Sequence, residues 1–266
     1  METDPPMRTR SPHDRLRFVG FPLLLAALTG GMTLWLATAD VWAGRAAFLD
    51  RAGRSQESLQ AFERVQQWNP FESRYPFEAG ERWLKHLPQR SPAEAAPSLA
   101  QAEQSFTRSV SRSPWWGYAW MHLGLVRWQL GQTSQAIEAM RQAVRRDPNL
   151  KEALTHLASM LQTTGQFAPL KDLAQRLQQF DARNPQGWFF EAVTWQGLRQ
   201  PARAIHTYRL LLERAPHYYP AWFNFAELLR QEGHEGEAAA AYQRFLDTAP
   251  YDQEAQRARA HAFLEK

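Results

Sequence analysis

The chain contains no cysteine. That absence removes disulfides, thiol nucleophiles, zinc ribbons and covalent c-type haem attachment at once. Glycine is scarce, with 14 residues in 266, and hardly any stretch alternates β-branched with polar residues. Collagen-like and sheet-rich architectures are therefore excluded. No glycine-rich phosphate loop and no nucleophile elbow occurs. His234-Glu235 opens like a zincin helix, but Ala238 stands where the second histidine ligand is required. Acidic residues are scattered, with no pair placed as an acid–base couple. The chain reads as no enzyme: no catalytic residue, no metal ligand set and no cofactor is assigned. Net charge is only +4, with Lys and Arg alternating with Asp and Glu through most of the chain. The densest basic run of the globular part, Arg141 to Arg146, ends against Asp147 and lacks interleaved aromatics, so nucleic acid is not an expected partner.

What is present is helix-forming. Ala, Leu, Gln, Arg and Glu dominate, so the fold class is all-α. Residues 18–38, FVGFPLLLAALTGGMTLWLAT, form a 21-residue run without a charge. As a helix it spans ~32 Å, the thickness of a bilayer's hydrocarbon core, and predicts one transmembrane helix. Arg8, Arg10, Arg15 and Arg17 precede it, whereas Asp40 comes first on the far side, before Arg45, Arg51 and Arg54. That bias predicts a cytoplasmic tail over 1–17 and an exported C-terminal domain. Ala37-Thr38-Ala39 also satisfies a signal-peptide cleavage pattern, although the run exceeds the usual apolar segment of about 7–15 residues. Trp35 and Trp42 have the character of interfacial anchors, and Ala26, Ala27, Gly30 and Gly31 form overlapping small-residue spacings that admit a second transmembrane helix.

Beyond the run, the sequence repeats with a period of 34. Trp120, Leu154, Trp188 and Trp222 head the columns, followed in phase by Gly124, Ala158, Ala192 and Ala226. Gly131, Gly165, Arg199 and Gly233 come next, then Ala136, Leu170, Ala204 and Ala238. The set closes with Met140, Ala174, Tyr208 and Tyr242, and with Pro148, Ala182, Pro216 and Pro250. A bulky residue fills the space between two antiparallel helices, a small one four places on lets them cross closely, Gly permits the turn and Pro punctuates the exit. One hairpin leaves an apolar face open, and stacking buries it.

The pattern WMHLG…G…AIEAM…DP from Trp120 to Pro148, and WFNFA…G…AAAAY…AP from Trp222 to Pro250, resembles the tetratricopeptide repeat. The resemblance implies a right-handed α-solenoid, with four in-phase units over 117–252 and a capping helix over 253–266, its Gln256, Arg257 and Glu265 facing water. The unit from Lys151 to Asn184 departs at Leu170, with Pro169 beside it, so its second helix is expected to start late or tilt. Residues 39–116 hold further units. Trp42, Ala46, Gly53, Phe62 and Pro70 fit the columns of the first. In the next, Glu78 to Leu87 is read as the first helix, Ala102, Phe106 and Pro114 keep the second in phase, and Pro88 to Ser98 is read as an inserted loop.

Such arrays bind peptides along the first helix of each unit. By resemblance the inward residues are Tyr118, Met121, Leu125 and Trp128; Glu152, Thr155, Ser159 and Gln162; Phe189, Val193 and Gln196; and Phe223, Glu227 and Arg230. The Lys/Asn carboxylate clamp of chaperone-binding members is missing, with only Asn224 near. An aromatic lining, wet at one end, suits an apolar peptide or amphipathic helix. The alternative is that Trp128, Phe189 and Phe223 are core or lie under the inserted loop. His122 and His156 hold equivalent places on neighbouring helices ~9–10 Å apart, too far for easy shared ligation.

The expected function is a membrane-anchored, single-span scaffold of a bacterial inner membrane, its repeat domain periplasmic, serving envelope assembly or export. Membrane-bound repeat subunits of cytochrome c maturation are similar in layout, and O-antigen-ligase-like enzymes carry stretches similar to WNPFESRYPFEAG at 68–80. A structural subunit of a large membrane complex is the remaining alternative.

Overall fold

The computed structural model describes residues 38–68, 72–85 and 92–265. Among these residues there are only helices and no strand. The predicted transmembrane segment, with Ala26, Ala27, Gly30, Gly31 and Trp35, lies outside the described residues except for Thr38. No described helix is long and apolar enough to cross a membrane. The chain divides into two compact units, at Trp115 and Trp116.

In the N-terminal unit, α1 (38–51) and α2 (Ser55–Trp68) form a hairpin, followed by α3 (Arg74–Lys85) and α4 (Pro92–Arg112). Gly53 makes the first turn at φ 74°, a region that favours glycine. Ser58 Oγ donates to the Ala46 carbonyl at 2.7 Å, tying α2 to α1. Tyr75 donates to Asp40 at 2.6 Å and Lys85 pairs with Asp50 at 2.8 Å. Both bonds join residues 35 apart, one near each end, so α3 runs parallel to α1, as first helices of successive repeats do. Ala39, Ala46, Leu49, Phe62, Val65 and Tyr75 form the core, with Trp42 packed against it.

The insertion differs from its reading as a loop over 88–98. Residues 92–98 are helical and lengthen α4 at its start, Pro92 opening the helix and Pro97 lying inside it. Pro92 at the first position needs no donor, and the alanines that follow favour helix. The first helix of this unit also begins at Arg74, earlier than Glu78.

The C-terminal unit is a run of four hairpins. First helices α5 (Gly117–Gln129), α7 (Lys151–Thr163), α9 (Pro185–Gly197) and α11 (Tyr219–Gln231) start 34 residues apart. So do second helices α6 (Thr133–Arg146), α8 (Phe167–Phe180), α10 (Pro201–Arg214) and α12 (Glu235–Thr248). The helix α13 (Glu254–Leu264) follows. Local chemistry sets this regularity. At each hairpin turn the residue in the Gly column is left-handed, with φ 73° at Gly131, 69° at Gly165, 57° at Arg199 and 80° at Gly233. The bonds Gly131 N→Trp128 O at 3.0 Å and Gln132 N→Arg127 O at 2.9 Å close a Schellman cap, repeated at the other three turns. Pro148 and Pro216 occupy the second place of their return turns, closed by Leu150 N→Asp147 O at 3.2 Å and Tyr218 N→Ala215 O at 3.0 Å.

The columns pack as their chemistry requires. A Cβ on Gly124 would meet the Ala136 carbonyl at 3.2 Å and Met140 Cε at 3.1 Å. Ala136, Met140, Leu154, Leu170, Ala204, Tyr208, Ala238 and Tyr242 are fully buried. Trp120, Trp188 and Trp222 pack against this core, and the Trp188 and Trp222 indoles donate to Ala182 and Pro216 carbonyls of the preceding turn at 3.1 and 2.8 Å.

Two expectations are corrected. The helix α8 does not start late: it opens at Phe167, in phase, because Pro169 falls in the first turn, where a missing N–H costs nothing. It packs more extensively on α9 than on its own partner α7, its Phe167 ring filling the space over Gly197. In α13, Arg257 does not face water. It is half-buried and donates to the Leu246 and Ala249 carbonyls at 3.0 and 3.2 Å, capping the negative end of α12. Gln256 is likewise half-buried, whereas Glu265 is exposed.

Candidate functional site

The surface that recurs with the period is the ladder of first-helix side chains on α5, α7, α9 and α11. Each helix offers residues at equivalent places, so the ladder is a consequence of register rather than of any single residue.

The structure separates the sequence-predicted lining into two groups. Met121, Phe189, Val193 and Phe223 are only 5, 8, 7 and 8% exposed and belong to the core, which corrects their reading as open groove residues. The reason lies in aromatic packing from neighbouring elements. Phe223 packs against Phe245 and Tyr242, with ring centroids 5.1 and 6.2 Å away, and the Arg259 guanidinium sits 5.9 Å from its centre. Phe189 meets Phe190 at 5.6 Å and Tyr218 at 5.7 Å, both edge to face.

The second group is accessible. On α5, Tyr118 is 40% exposed, and Leu125 and Trp128 are half-buried against the core. On α7, Glu152 and Ser159 are exposed, while Thr155 and Gln162 are half-buried. Thr155 donates to Gln186 of α9 at 3.3 Å, and Tyr208 donates to Gln196 at 3.4 Å. The apolar part of the ladder is thus confined to its first hairpin, and amide and hydroxyl groups line the middle.

The α11 end is charged and internally paired. Glu227 accepts from Tyr242 at 2.7 Å and from Arg230 at 3.0 Å, and Arg259 of α13 lies 3.9 Å away. Burial raises the Glu227 carboxyl, but these hydrogen bonds and the two arginine charges outweigh it, so its pKa lies below the ordinary value. Burial, then the bond to Glu227, pushes Tyr242 up to about 12. This network ties α11 to α12, and Arg259 extends it towards α13. Sequence reasoning placed Glu227 and Arg230 in the lining without seeing it, although Glu followed three residues later by Arg was a visible helix pair.

His122 and His156 are both held below the ordinary imidazole value, His156 by burial against the opposing pull of Glu152. Burial first, then the positive charge of His156, holds His122 down to about 4. The Tyr118 ring lies 4.7 Å from the His122 ring. No group of three or more His, Asp or Glu able to hold a metal occurs among the described residues.

Two further arrangements escaped the sequence reading. Lys171 and Arg203 lie 5.1 and 4.9 Å from the Trp195 ring centre, packing cations of α8 and α10 on an indole of α9. An open depression of about 460 Å³, lined by Pro148, Asn149, Arg176, Gln179 and Phe180, lies beside the α6–α7 turn, but no set of titratable groups converges on it.

Residues 93–250, more than half of the chain, match a family model described as tetratricopeptide repeat. No curated protein matches significantly. Among solved structures, a tetratricopeptide repeat protein from Parabacteroides merdae ATCC 43184 is similar with a TM-score of 0.66 and 12% identity, over 80% of this chain and 81% of that one. The MamA protein is similar with a TM-score of 0.57 and 13% identity, over 66% and 91%. YrrB, described as a TPR protein with an unusual peptide-binding site, has a TM-score of 0.56 and 15% identity, over 68% and 88%. At these identities the likeness is one of fold.

Proposed function

Because the chain belongs to the tetratricopeptide repeat family, a family of protein-interaction scaffolds, we propose that it is a membrane-anchored adaptor that holds a protein segment along its first-helix ladder. The observation that carries the reading is the constant register of α5, α7, α9 and α11, which repeats the accessible place of Trp128 at Gln162, Gln196 and Arg230 on four adjacent helices. At ~9–10 Å per helix the ladder covers about 30 Å, the length of about nine extended residues. Tyr118, Leu125 and Trp128 offer an apolar seat at one end, and Ser159, Gln162 and Gln196 offer hydrogen bonds beyond it. This combination suits an amphipathic helix or a peptide with an apolar end. YrrB, of similar fold, is described by its peptide-binding site, which supports a peptide as the ligand class.

The tether is the charge-free run at 18–38. With arginines before it, the reading is a single span in a bacterial inner membrane, N-terminus cytoplasmic, repeats periplasmic, serving envelope assembly or export. Photo-crosslinkers placed at Ser159 and Gln196, with Phe180 as the off-ladder control, test the scaffold in native membranes. One partner captured at both ladder positions and lost with Trp128→Ala upholds the proposal. Equal capture at Phe180, or capture indifferent to Trp128→Ala, overturns it. The partner's identity separates haem-handling from polysaccharide systems. Protease access in spheroplasts tests the orientation, and a protected repeat domain would reverse it.

A further inference from the structure

The helix α1 has two faces. Ala39, Ala46 and Leu49 are buried in the N-terminal core, with Trp42 and Ala43 packed beside them. On the opposite face Val41 and Phe48 are 71% and 64% exposed, and between them nothing lies within 4 Å of where a Cβ on Gly44 would sit. Two large apolar residues on one face of an outer helix, separated by two turns around an open glycine, form an uncovered seam.

The sequence says what fits it. Leu23, Ala27, Gly30, Leu34, Ala37, Val41, Gly44 and Phe48 succeed one another at alternating spacings of four and three, the register of a left-handed helix pair. The register crosses from the charge-free run into α1 without a break, and it contains no charge before Arg51. Bulky Leu34, Val41 and Phe48 alternate with small Gly30, Ala37 and Gly44, an arrangement that lets two backbones approach while the large side chains interlock. Asp40 and Arg45, five residues apart, flank the seam on its two sides. Those are the places where parallel partners exchange ion pairs. The Arg45 and Arg64 guanidinium groups share the Trp42 ring, at 5.1 and 4.8 Å, concentrating positive charge beside the seam.

We infer that this face of α1 pairs with the same face of a second copy of the chain, in parallel, through Val41, Gly44 and Phe48, with Asp40 of each copy meeting Arg45 of the other. The inference rests on the reading of 18–38 as a membrane helix leading into α1, and it makes the adaptor a dimer with two ladders.

The cysteine-free chain allows a background-free test. Val41→Cys, Gly44→Cys and Phe48→Cys are each introduced into the full chain in native membranes, with Ala255→Cys on α13 as the exposed control, followed by mild oxidation and non-reducing electrophoresis. A disulfide-linked dimer of the chain is expected at all three seam positions and not at Ala255. Adding Arg45→Asp to Gly44→Cys weakens the dimer band, and adding Asp40→Arg restores it. Tyr75→Phe, which removes only the bond to Asp40 within the chain, leaves it unchanged. Monomer alone at the seam positions, a link to a different protein, or equal yield at Ala255 overturns the pairing. Alkaline carbonate washing of the same membranes reads the anchor separately. A chain retained but not crosslinked sinks the seam alone, whereas a chain washed off sinks the anchor whether or not it crosslinks.

Discussion

Arg199 is the sharpest local conflict in the repeat unit. It holds φ 57° in the turn between α9 and α10, where Gly131, Gly165 and Gly233 hold the equivalent places. A residue with a Cβ costs about 1–2 kcal/mol in this left-handed region. Replacing it by glycine removes that cost but gives back about 0.5–1 kcal/mol in the larger entropy of the unfolded chain. The net expectation for Arg199→Gly is a gain of about 0.5–1 kcal/mol, raising the melting temperature by about 2 °C. The Arg199 backbone N–H still donates to Gln196 at 3.0 Å in either case, so the cap itself is preserved. Arg199→Ala keeps the Cβ and should leave stability near that of the parent, while Arg199→Val should lower it by about another 1 kcal/mol through β-branching in a left-handed turn. Thermal and urea unfolding followed by far-ultraviolet circular dichroism rank the three. If Arg199→Gly is no more stable than Arg199→Ala, the backbone argument is wrong and the arginine side chain itself stabilises the turn.

Four other outcomes follow from the same physics. Gly187→Ala should destabilise by about 1–2 kcal/mol in urea unfolding, because its Cβ would lie 2.8 Å from the Gln178 backbone nitrogen and only separation of α8 and α9 relieves it; Gly236→Ala in α12, with open space around it, should instead stabilise by about 0.5–1 kcal/mol. Glu227→Gln should cost about 1–2 kcal/mol at neutral pH. Since the folded pKa of Glu227 is lowered from the ordinary 4.5, its contribution is present above that value and lost as pH falls through the folded pKa, so the parent and variant unfolding curves should converge in acid. His122 is held neutral in the fold, at about 4 against an ordinary 6.5. The unfolded chain therefore takes up a proton first as pH falls from 6.5 towards 4, stability declines across that window, and His122→Gln should flatten the decline in the denaturation midpoint.

The repeat phase was legible in the sequence because it rests on local signals. A residue able to be left-handed ends each first helix, and a proline or its substitute opens each return turn. Bond patterns that span only three to five residues then reproduce the helix boundaries every 34 residues. The same locality misled at two places. Pro and Ser between 88 and 98 suggested a loop, but proline at a helix start is no breaker. Pro169 suggested a delayed helix, but it falls in a first turn that needs no donor.

The candidate site was legible only as an angle around each first helix. Periodicity places Phe189, Val193 and Phe223 on the ladder side, yet it does not say how far the neighbouring helices reach over them. Tyr242, Phe245 and Arg259 close over Phe223 from α12 and α13, while Trp128 on α5 keeps part of its surface. The sequence by itself determined the all-helical class, the register and the turns, since each depends on residues a few places apart. Only the tertiary structure decided which ladder residues are core, that Glu227 and Arg230 are joined with Tyr242 of α12 in one network, and that Val41 and Phe48 stand uncovered. Burial is set by the bulk of side chains distant in sequence, and no local spacing encodes that bulk.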